Sequence, residues 1–300
     1  MTIYILTLEE HLPYSRDLFP ELITHKISKQ HMHSHPLSFY EKLKIQFVMD
    51  KKISRINFKR NRIFTGDSGS IAYDVLILTD TETTAFPSIK GVGKSGVYAV
   101  RRLNDVQQLM KNIPLFDTMV LESETLMGLK MASAMTKIGK EVIWSISGKH
   151  IFSSWLDEES ARVIRGVLED AGIRIMEENT IAEILGDTEV KAVRLKSGKV
   201  LGAQAAIFTD LLPDLKLFKD TDLQCQEQIF VDNNFRTNVA NVFAVDQICN
   251  ACSGRGWESR IDDRLILEQQ GIIVAKSLED QFNSMGEGNE EQQPVFSPVA

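Results

Sequence analysis

A strand–turn–helix pattern at residues 118–138 places the strongest constraint on the fold of this chain. Thr118 to Leu121 form an apolar, strand-like run, and Leu129 to Ile138 have the composition of a helix. An extended run joined to a helix by a short turn is the first half of a βαβ unit, and the apolar run from Glu141 to Trp144 completes it. The pattern therefore predicts an α/β protein built on parallel strands.

The turn inside this unit lacks two of the three glycines with which such units bind dinucleotides. In G-x-G-x-x-G the glycines permit the tight turn, the close approach of a pyrophosphate and the packing of helix on strand. Here these positions carry Ser123, Thr125 and Gly128. Two added carboxylates, Glu122 and Glu124, are expected to take over the positive end of the helix dipole and to repel a phosphate. The sequence thus predicts the architecture of a nucleotide site without its usual chemistry.

The acidic balance of the chain excludes several classes of partner. A net charge of −7 gives no general attraction for nucleic acid or for an anionic membrane. No apolar stretch approaches the ~20 residues that span a bilayer, and the N-terminus has no basic leader. Three cysteines, an odd number, do not build a disulfide framework. These features predict a cytoplasmic protein with neither nucleic acid nor membrane as partner.

Further apolar runs extend the α/β pattern over most of the chain. Lys51 to Phe64 alternates as a strand does, and Gly66 to Gly69 follows it as a hairpin turn. Residues 181–201 are predicted to form a β-meander. From about residue 283 the composition is typical of a flexible tail. The other predicted strands are Thr2–Leu8, Ile45–Met49, Tyr73–Leu78, Ile173–Met176, Ala205–Phe208 and Val242–Val245, and the other helices are Phe39–Lys44, Val106–Ile113, Glu158–Asp170 and Asp262–Leu278.

Short motifs stand in a characteristic order between about residues 3 and 280. They are His11–Arg16, Ser38–Tyr40, Tyr73–Leu78, Gly96–Tyr98 with Arg101 and Asp105, Gly128–Leu129, Val231–Asp232, Arg236–Thr237, Val242–Val245 and Glu268–Gly271. As a set they resemble the FAD- and NAD(P)-dependent pyridine nucleotide-disulfide oxidoreductases, particularly the NADH:rubredoxin reductase and nitrite reductase flavoprotein branch.

The resemblance implies an α/β fold with two nested Rossmann-like, three-layer domains on parallel sheets. An FAD-type domain would comprise residues 1–114 and 206–282, with an NAD(P)-type domain inserted at 115–205 and a flexible tail at 283–300. The chain begins near the family's second strand, so the FAD-type domain is expected to lack its first βα unit, and the family's C-terminal interface domain is also expected to be missing.

The resemblance also assigns cofactor-binding positions, most of which are altered. Glu9 corresponds to the acid that binds the adenosine ribose, and Arg16 and Arg101 to positions near the flavin. Thr79 and Asp80 stand in the family's Ala-Thr-Gly turn, and Asp246 and Gln247 replace the Gly-Asp that holds the ribityl chain. Ser123, Thr125 and Gly128 stand in the NAD turn. Asp210 replaces a glycine, and Ser145 stands where an acid would bind the ribose hydroxyls.

These losses at cofactor-facing turns predict that no cofactor binds, and that any retained cofactor is FAD first and NAD(H) second. The main hypothesis is a non-catalytic accessory relative, without catalytic or metal-binding residues, acting as a scaffold or regulatory subunit in a redox complex. Its partner would be another protein subunit or a second copy of the chain. Two alternatives stay open: an active FAD-dependent NAD(P)H oxidoreductase serving a rubredoxin-like or iron–sulfur acceptor, and a nucleotide sensor.

Other candidate signals have simpler structural interpretations, which we favour. His31, His33 and His35 could ligate a metal on an extended segment, or lie in a polar loop. Cys249 and Cys252 form a C-x-x-C that could be redox-active, or be structural thiols. The basic run between Lys51 and Arg62 could dock an acidic partner, or be a solvated hairpin face. Trp155 and Trp257 could anchor a partner, although core or hinge packing is favoured.

Overall fold

The computed structural model describes residues 2–66, 69–79, 86, 88–210, 215–251 and 264–286. Its helices are α1 (Phe19–Ile23), α2 (Leu37–Lys42), α3 (Leu103–Asn112), α4 (Leu126–Lys137), α5 (Glu158–Asp170) and α6 (Arg264–Gly286). Its strands are β1 (Ile3–Leu6), β2 (Ile45–Val48), β3 (Ile53–Asn57), β4 (Arg62–Thr65), β5 (Ser70–Ala72), β6 (Leu76–Leu78), β7 (Val97–Ala99), β8 (Thr118–Glu122), β9 (Glu141–Ser145), β10 (Ile173–Met176), β11 (Ile181–Leu185), β12 (Ala192–Leu195), β13 (Val200–Gly202), β14 (Ala205–Phe208), β15 (Ile229–Val231), β16 (Val242–Ala244) and β17 (Cys249–Ala251). The predicted α/β class with parallel sheets is confirmed.

The chain divides into two compact units. The first unit comprises Met1–Leu12, His35–Thr83 and Leu212–Ala300, and the second comprises Pro13–Ser34 and Thr84–Leu211. Residues 13–34 and 84–114 therefore lie in the same unit as 115–205, because Phe19 packs in its core and β7 pairs with β14. The assignment of FAD-type and NAD(P)-type domains stays a prediction.

The second unit is built on a five-stranded parallel sheet with the order β10-β9-β8-β14-β7. The run that predicts a βαβ unit forms β8, α4 and β9. Both faces of the sheet are covered, as parallel sheets require: Met119 and Leu121 of β8 pack in one apolar cluster and Val120 in another. Strands β8 and β14 pair in parallel with Phe208 opposite Glu122, so both end at the same edge of the sheet.

Residues 181–202 form the predicted meander, with the antiparallel strand order β11-β12-β13. Its apolar residues Ile181, Ile184, Val193 and Leu195 are buried against the face of the sheet that carries Val120. The meander therefore covers one face of the parallel sheet, while α4 packs on the other with Met131 and Met135.

In its described residues the first unit has three parallel strand pairs and an antiparallel sheet. The pairs are β1 with β2, β6 with β16 and β15 with β17, and the antiparallel sheet has the order β3-β4-β5. One apolar cluster unites the antiparallel sheet with β6, β15, β16 and α6, through residues such as Ile56, Leu78, Val231, Phe243 and Val274.

Two predicted boundaries in this unit are wrong. The alternating run from Lys51 to Phe64 is two strands, because Asn57 caps the short 3-10 helix Phe58–Arg60 by accepting from the Arg60 N–H at 3.1 Å. Asn61 then turns the chain with φ +48°, a left-handed conformation that asparagine tolerates. In addition, α6 continues to Gly286, past its predicted end at Leu278. Residues 67, 68 and 287–300 lie outside the described part of the chain.

Candidate functional site

The turn before α4 brings together the substituted glycine positions and Asp210. It lies at the carboxyl edge of the second unit's sheet, where parallel α/β sheets bind ligands. Thr125 is the residue before α4, and β8 leads into Ser123. The side chains of both are buried, with relative exposures of 1% for Ser123 and 6% for Thr125. What these two hydroxyls contact therefore decides what the turn can bind.

Their partner is the carboxylate of Asp210, which follows β14. Ser123 Oγ donates to Asp210 Oδ1 at 2.9 Å, and Thr125 Oγ1 donates to the same oxygen at 2.8 Å. The backbone N–H of Glu124 donates to Asp210 Oδ2. A backbone N–H in this turn is the kind of donor that holds a phosphate at a helix N-terminus. In this protein the anion that it meets belongs to the chain itself.

The structure corrects the expectation for Glu122 and Glu124. Neither carboxylate contacts the α4 N-terminus: Glu124 Oε1 accepts from the backbone N–H groups of Ser147 and, at 3.4 Å, Gly148. Glu122 Oε2 accepts from the backbone N–H of Ile181 at 2.5 Å. The two side chains therefore extend along the sheet edge towards the segments that follow β9 and β10. The carboxylate at the helix end is instead that of Asp210, 85 positions beyond Thr125.

The carboxyl group of Glu122 has a strongly shifted pKa. Its pKa is raised from 4.5 to about 7, chiefly by burial and also by the negative charges of Asp210 and Glu124. The Ile181 N–H and the positive charge of Lys196 oppose that rise. The turn thus contains a carboxyl group that exchanges a proton near neutral pH.

Gly128 keeps its predicted packing role. A Cβ at this position would overlap Oγ and Cβ of Ser123 and would lie 3.5 Å from Cζ2 of Trp144. Trp144 in turn donates from Nε1 to the carbonyl oxygen of Ser123 at 2.8 Å. The remaining glycine of the motif therefore lets helix and turn approach closely, which is independent of nucleotide binding.

Ser145, at the end of β9, is fully buried, and its Oγ donates to the carbonyl oxygen of Asn179 at 2.8 Å. The resemblance predicts an acid at this position to bind the ribose hydroxyls, whereas the side chain present is engaged inside the protein. The serine has no carboxylate with which to accept from two hydroxyl groups.

The positions that the resemblance assigns to a flavin site lie in both units of the chain. The N–H of Glu9 donates to Thr7 Oγ1 at 3.0 Å, and Arg16 begins the 3-10 helix Arg16–Leu18. Arg101 is buried, with its N–H directed at Asp105 Oδ2 at 3.3 Å. Thr79 is an exposed residue after β6, and Asp80 lies outside the described residues.

Asp246, which the resemblance aligns with a glycine of the family, has a left-handed backbone conformation. Its φ is +68°, in the left-handed region that glycine adopts freely and aspartate tolerates. Its N–H donates to Gln270 Oε1 at 2.7 Å. The side chain of Gln247 lies outside the described residues.

The metal and redox alternatives gain no support from the structure. His31 lies in the 3-10 helix Lys29–Met32 rather than on an extended segment, and Met32 between the histidines is 1% exposed. Among the described residues no group of three His, Cys, Asp or Glu side chains is placed to hold a metal ion. Burial raises the pKa of Cys249 to about 12, which disfavours a thiolate, and Cys252 lies outside the described residues.

Two other candidate features have structural contacts. The ring of Trp155 stacks on that of Phe152 with centroids 5.2 Å apart, next to an apolar core, whereas Trp257 lies outside the described residues. On the basic hairpin, Lys59 pairs with Asp222 at 3.3 Å and Arg55 lies 4.4 Å over the ring of Phe64.

No helix in the described ranges has the length and apolar character to cross a bilayer.

The residues at the α4 turn do not fit a dinucleotide bound in the usual mode. Its diphosphate would have to displace Asp210 from two hydroxyls and a backbone N–H. The side chains of Ser123 and Thr125 would also crowd its approach, because the usual motif has glycines at these two positions. No step of nicotinamide chemistry is therefore assigned to this turn.

The fold is shared with ferredoxin reductases of known structure. A ferredoxin reductase from Rhodopseudomonas palustris superposes with a TM-score of 0.83 at 19% identity, covering 92% of this chain and 69% of that one. Putidaredoxin reductase, in its covalent complex with putidaredoxin, gives a TM-score of 0.82 at 17% identity, covering 92% and 69%. At these identities the likeness establishes the fold alone.

The chain belongs to the pyridine nucleotide-disulphide oxidoreductase family, whose sequence pattern matches residues 1–261. One relative, the assimilatory nitrate reductase electron transfer subunit of Bacillus subtilis, is 24% identical over 82% of this chain and 32% of its own length. Subunit epsilon of the NADH-dependent phenylglyoxylate dehydrogenase of Aromatoleum evansii is 23% identical over 81% and 58%. The rubredoxin-NAD(+) reductase of Pseudomonas putida is 24% identical over 81% and 64%. The chain thus spans about one third to two thirds of the length of these relatives.

Proposed function

We propose that this protein is an accessory subunit of a redox complex, a member of the reductase family that takes up no dinucleotide at its NAD-type turn in the usual mode. The observation that carries the proposal is the Asp210 carboxylate bound to Ser123 Oγ, Thr125 Oγ1 and the Glu124 N–H. The protein would act through its surfaces as a scaffold or a regulatory subunit.

Charge repulsion would weaken the binding of a dinucleotide at this turn. Two unit charges 4 Å apart interact by about 4 kcal/mol at the effective dielectric constant typical of sites near a protein surface. A diphosphate at this turn would meet such repulsion from Asp210 and would also have to replace its hydrogen bonds. Because each ~1.4 kcal/mol changes affinity tenfold, the loss amounts to roughly a hundredfold to a thousandfold.

A subunit role is supported by two observations. Two of the relatives named above are called subunits of larger enzymes. Most of the exposed large apolar side chains among the described residues lie in the first unit, which favours an additional protein partner or a second copy of the chain. These side chains are Ile3, Tyr4, Leu37, Phe39, Leu43, Ile77, Leu265, Ile272, Ile273 and Phe282.

The test begins with the visible absorption spectrum of the purified chain and mass spectrometry of any small molecule released on denaturation. We expect no flavin spectrum, and no binding in calorimetric titrations with NADH or NADPH. Asp210→Gly should gain measurable NADH binding, whereas Asp187→Gly, at an exposed turn, should not. Tight NADH binding by the unmodified chain would contradict the proposal.

A second candidate function is an active FAD-dependent NAD(P)H oxidoreductase that passes electrons to a rubredoxin-like or iron–sulfur acceptor. Family membership and the names of the relatives favour it more directly than they favour a non-catalytic role. FAD, followed by NAD(H), would then be the cofactor. A yellow protein whose colour bleaches with NADH and returns with an added ferredoxin would establish this function in place of the first.

A further inference from the structure

The segment that follows α1 is basic in an otherwise acidic protein. From Leu22 to Tyr40 the sequence contains two lysines, four histidines and neither aspartate nor glutamate, whereas the whole chain has a net charge of −7. We call residues 24–31 of this segment the basic loop. All of it lies in the second unit.

Apolar anchors hold the basic loop against the core at both ends and in the middle. Leu22 and Met32 are 6% and 1% exposed, and Ile27 packs half-buried on the same apolar cluster. A loop fixed in this way loses little conformational freedom when it binds a ligand, which favours affinity.

Hydrogen bonds fix the loop between these anchors. The N–H of His25 donates to the Leu22 carbonyl at 3.0 Å, and that of Lys26 to the Glu21 carbonyl at 2.9 Å. The N–H of His31 donates to the Ser28 carbonyl at 3.0 Å, and Ser28 Oγ lies 2.8 Å from His31 Nδ1. The Ser28 contact engages one ring nitrogen of His31, so Nε2 is the nitrogen left to meet a ligand.

The basic loop borders a cavity of about 600 Å³. This volume is in the range of small-molecule sites, about 300–1,000 Å³. The lining side chains are apolar, hydroxylic, imidazole or cationic, and none of them is acidic: Leu22, His25, Lys26, Ile27, Ser28, Lys29 and His31. The surroundings of the cavity therefore favour a negatively charged occupant.

We propose that this cavity binds a small anion carrying a phosphoryl or carboxylate group. Lysine ammonium and imidazole N–H groups make charge-assisted hydrogen bonds to such oxygens, and the Ser28 hydroxyl can add a neutral one. The site is separate from the Asp210 turn and uses none of its residues. It therefore stands whether or not the NAD-type turn binds a nucleotide.

The test is calorimetric titration of the full chain with inorganic phosphate and, separately, with citrate. We expect saturable binding of at least one of them at submillimolar concentration, and the preferred anion identifies the chemical group. Lys26→Glu and His31→Gln should each weaken binding about tenfold, the loss expected for one charge-assisted hydrogen bond. Lys199→Glu, an exposed lysine on the turn between β12 and β13, makes the same charge change elsewhere and should leave binding unchanged.

Thermal unfolding of each variant distinguishes loss of the site from loss of the fold, because all three positions are exposed and folding should be retained. Absence of saturable binding of both anions up to about 10 mM would overturn the proposal. Equal weakening by Lys26→Glu and Lys199→Glu would also overturn it, since that result indicates only the net charge of the protein.

Discussion

Gly128 lies so close to Ser123 that a Cβ at position 128 would come nearer than 3.0 Å to both Oγ and Cβ of the serine. Helix α4 and the turn before it are therefore matched in shape although the nucleotide glycines at 123 and 125 are absent. The same serine accepts through its carbonyl oxygen from Trp144 Nε1. A contact of this kind keeps the helix close to the sheet whether or not a ligand is bound.

Gly128→Ala should therefore destabilise the protein by about 2 kcal/mol, the range for overpacking a tight interior contact. Gly166→Ala is the matched control, because Gly166 is also a helical glycine but a Cβ there meets nothing within 4 Å. That control should stabilise the protein by about 0.5–1 kcal/mol through helix propensity. Urea unfolding of the three proteins measures both effects.

The double variant Ser123→Gly with Gly128→Ala tests whether overlap with the Ser123 side chain causes the loss of stability. Removing the Ser123 side chain removes the atoms that the new methyl group would overlap, so the second substitution should cost much less in that background. If Gly128→Ala were as harmless as Gly166→Ala, the close approach of α4 to Ser123 would be wrong.

The partly buried carboxyl of Glu122 should make folding stability depend on pH near neutrality. Its pKa is about 7 in the folded protein and 4.5 ordinarily, so the folded state holds the proton more strongly. The resulting stability is fully present below pH 4.5 and is lost as pH rises through about 7. The shift corresponds to at most about 3 kcal/mol.

Glu122→Gln should remove most of this dependence, since the amide stays neutral and can still accept from the Ile181 N–H. Unfolding free energies at about pH 5 and about pH 8 should differ less in the variant than in the parent protein. The variant should be the more stable of the two at the higher pH. Equal pH profiles for the two proteins would show that Glu122 titrates normally.

The sequence predicted the β8-α4-β9 unit because local signals define it: two apolar runs and a helical run joined by a short turn. It also identified Ser123, Thr125, Gly128 and Asp210 as departures from a glycine pattern. It did not predict that Asp210 meets the other positions, because that contact joins residues about 85 positions apart and depends on the pairing of β14 with β8. Nor did it predict that Glu122 and Glu124 would bind backbone N–H groups elsewhere along the sheet edge.

Removing the Asp210 carboxylate should weaken the fold locally. Asp210→Ala leaves Ser123 Oγ, Thr125 Oγ1 and the Glu124 N–H without their acceptor. Hydrogen bonds to a charged group contribute about 1.5–3 kcal/mol each, and water can replace part of that loss, so we expect about 2 kcal/mol in urea unfolding. Asp187→Ala, on an exposed turn, should change stability by less than about 0.5 kcal/mol.

Hydrogen exchange gives a second measurement for the same variant. The Glu124 amide should exchange faster in Asp210→Ala than in the parent protein, while amides in α5 should be unaffected. Unchanged protection of Glu124 would mean that its N–H has another acceptor. The hydrogen bond from the Glu124 N–H to Asp210 would then be wrong.

The wrong strand and helix boundaries in the first unit, like the missed contacts of Asp210, come from features that the sequence pattern signals only weakly. The turn at Asn61 depends on one side-chain cap and one left-handed residue, signals weaker than the alternation of Ile53, Ile56 and Ile63. Helix α6 extends past its predicted end at Leu278. Alternation predicts which side chains are buried, but not where a strand is interrupted.

Cys249 should be chemically inert in the folded protein. It is 1% exposed, and burial, together with the nearby charge of Asp246, raises the pKa of its thiol to about 12. Because the thiolate is the reactive form, iodoacetamide at about pH 8 should leave Cys249 unmodified in the native chain and should modify it in urea. Peptide mass spectrometry of the Cys225→Ser variant measures the modification of Cys249, because this variant lacks the half-buried Cys225. Rapid native modification of Cys249, or a disulfide joining it to Cys252, would restore the redox-pair hypothesis.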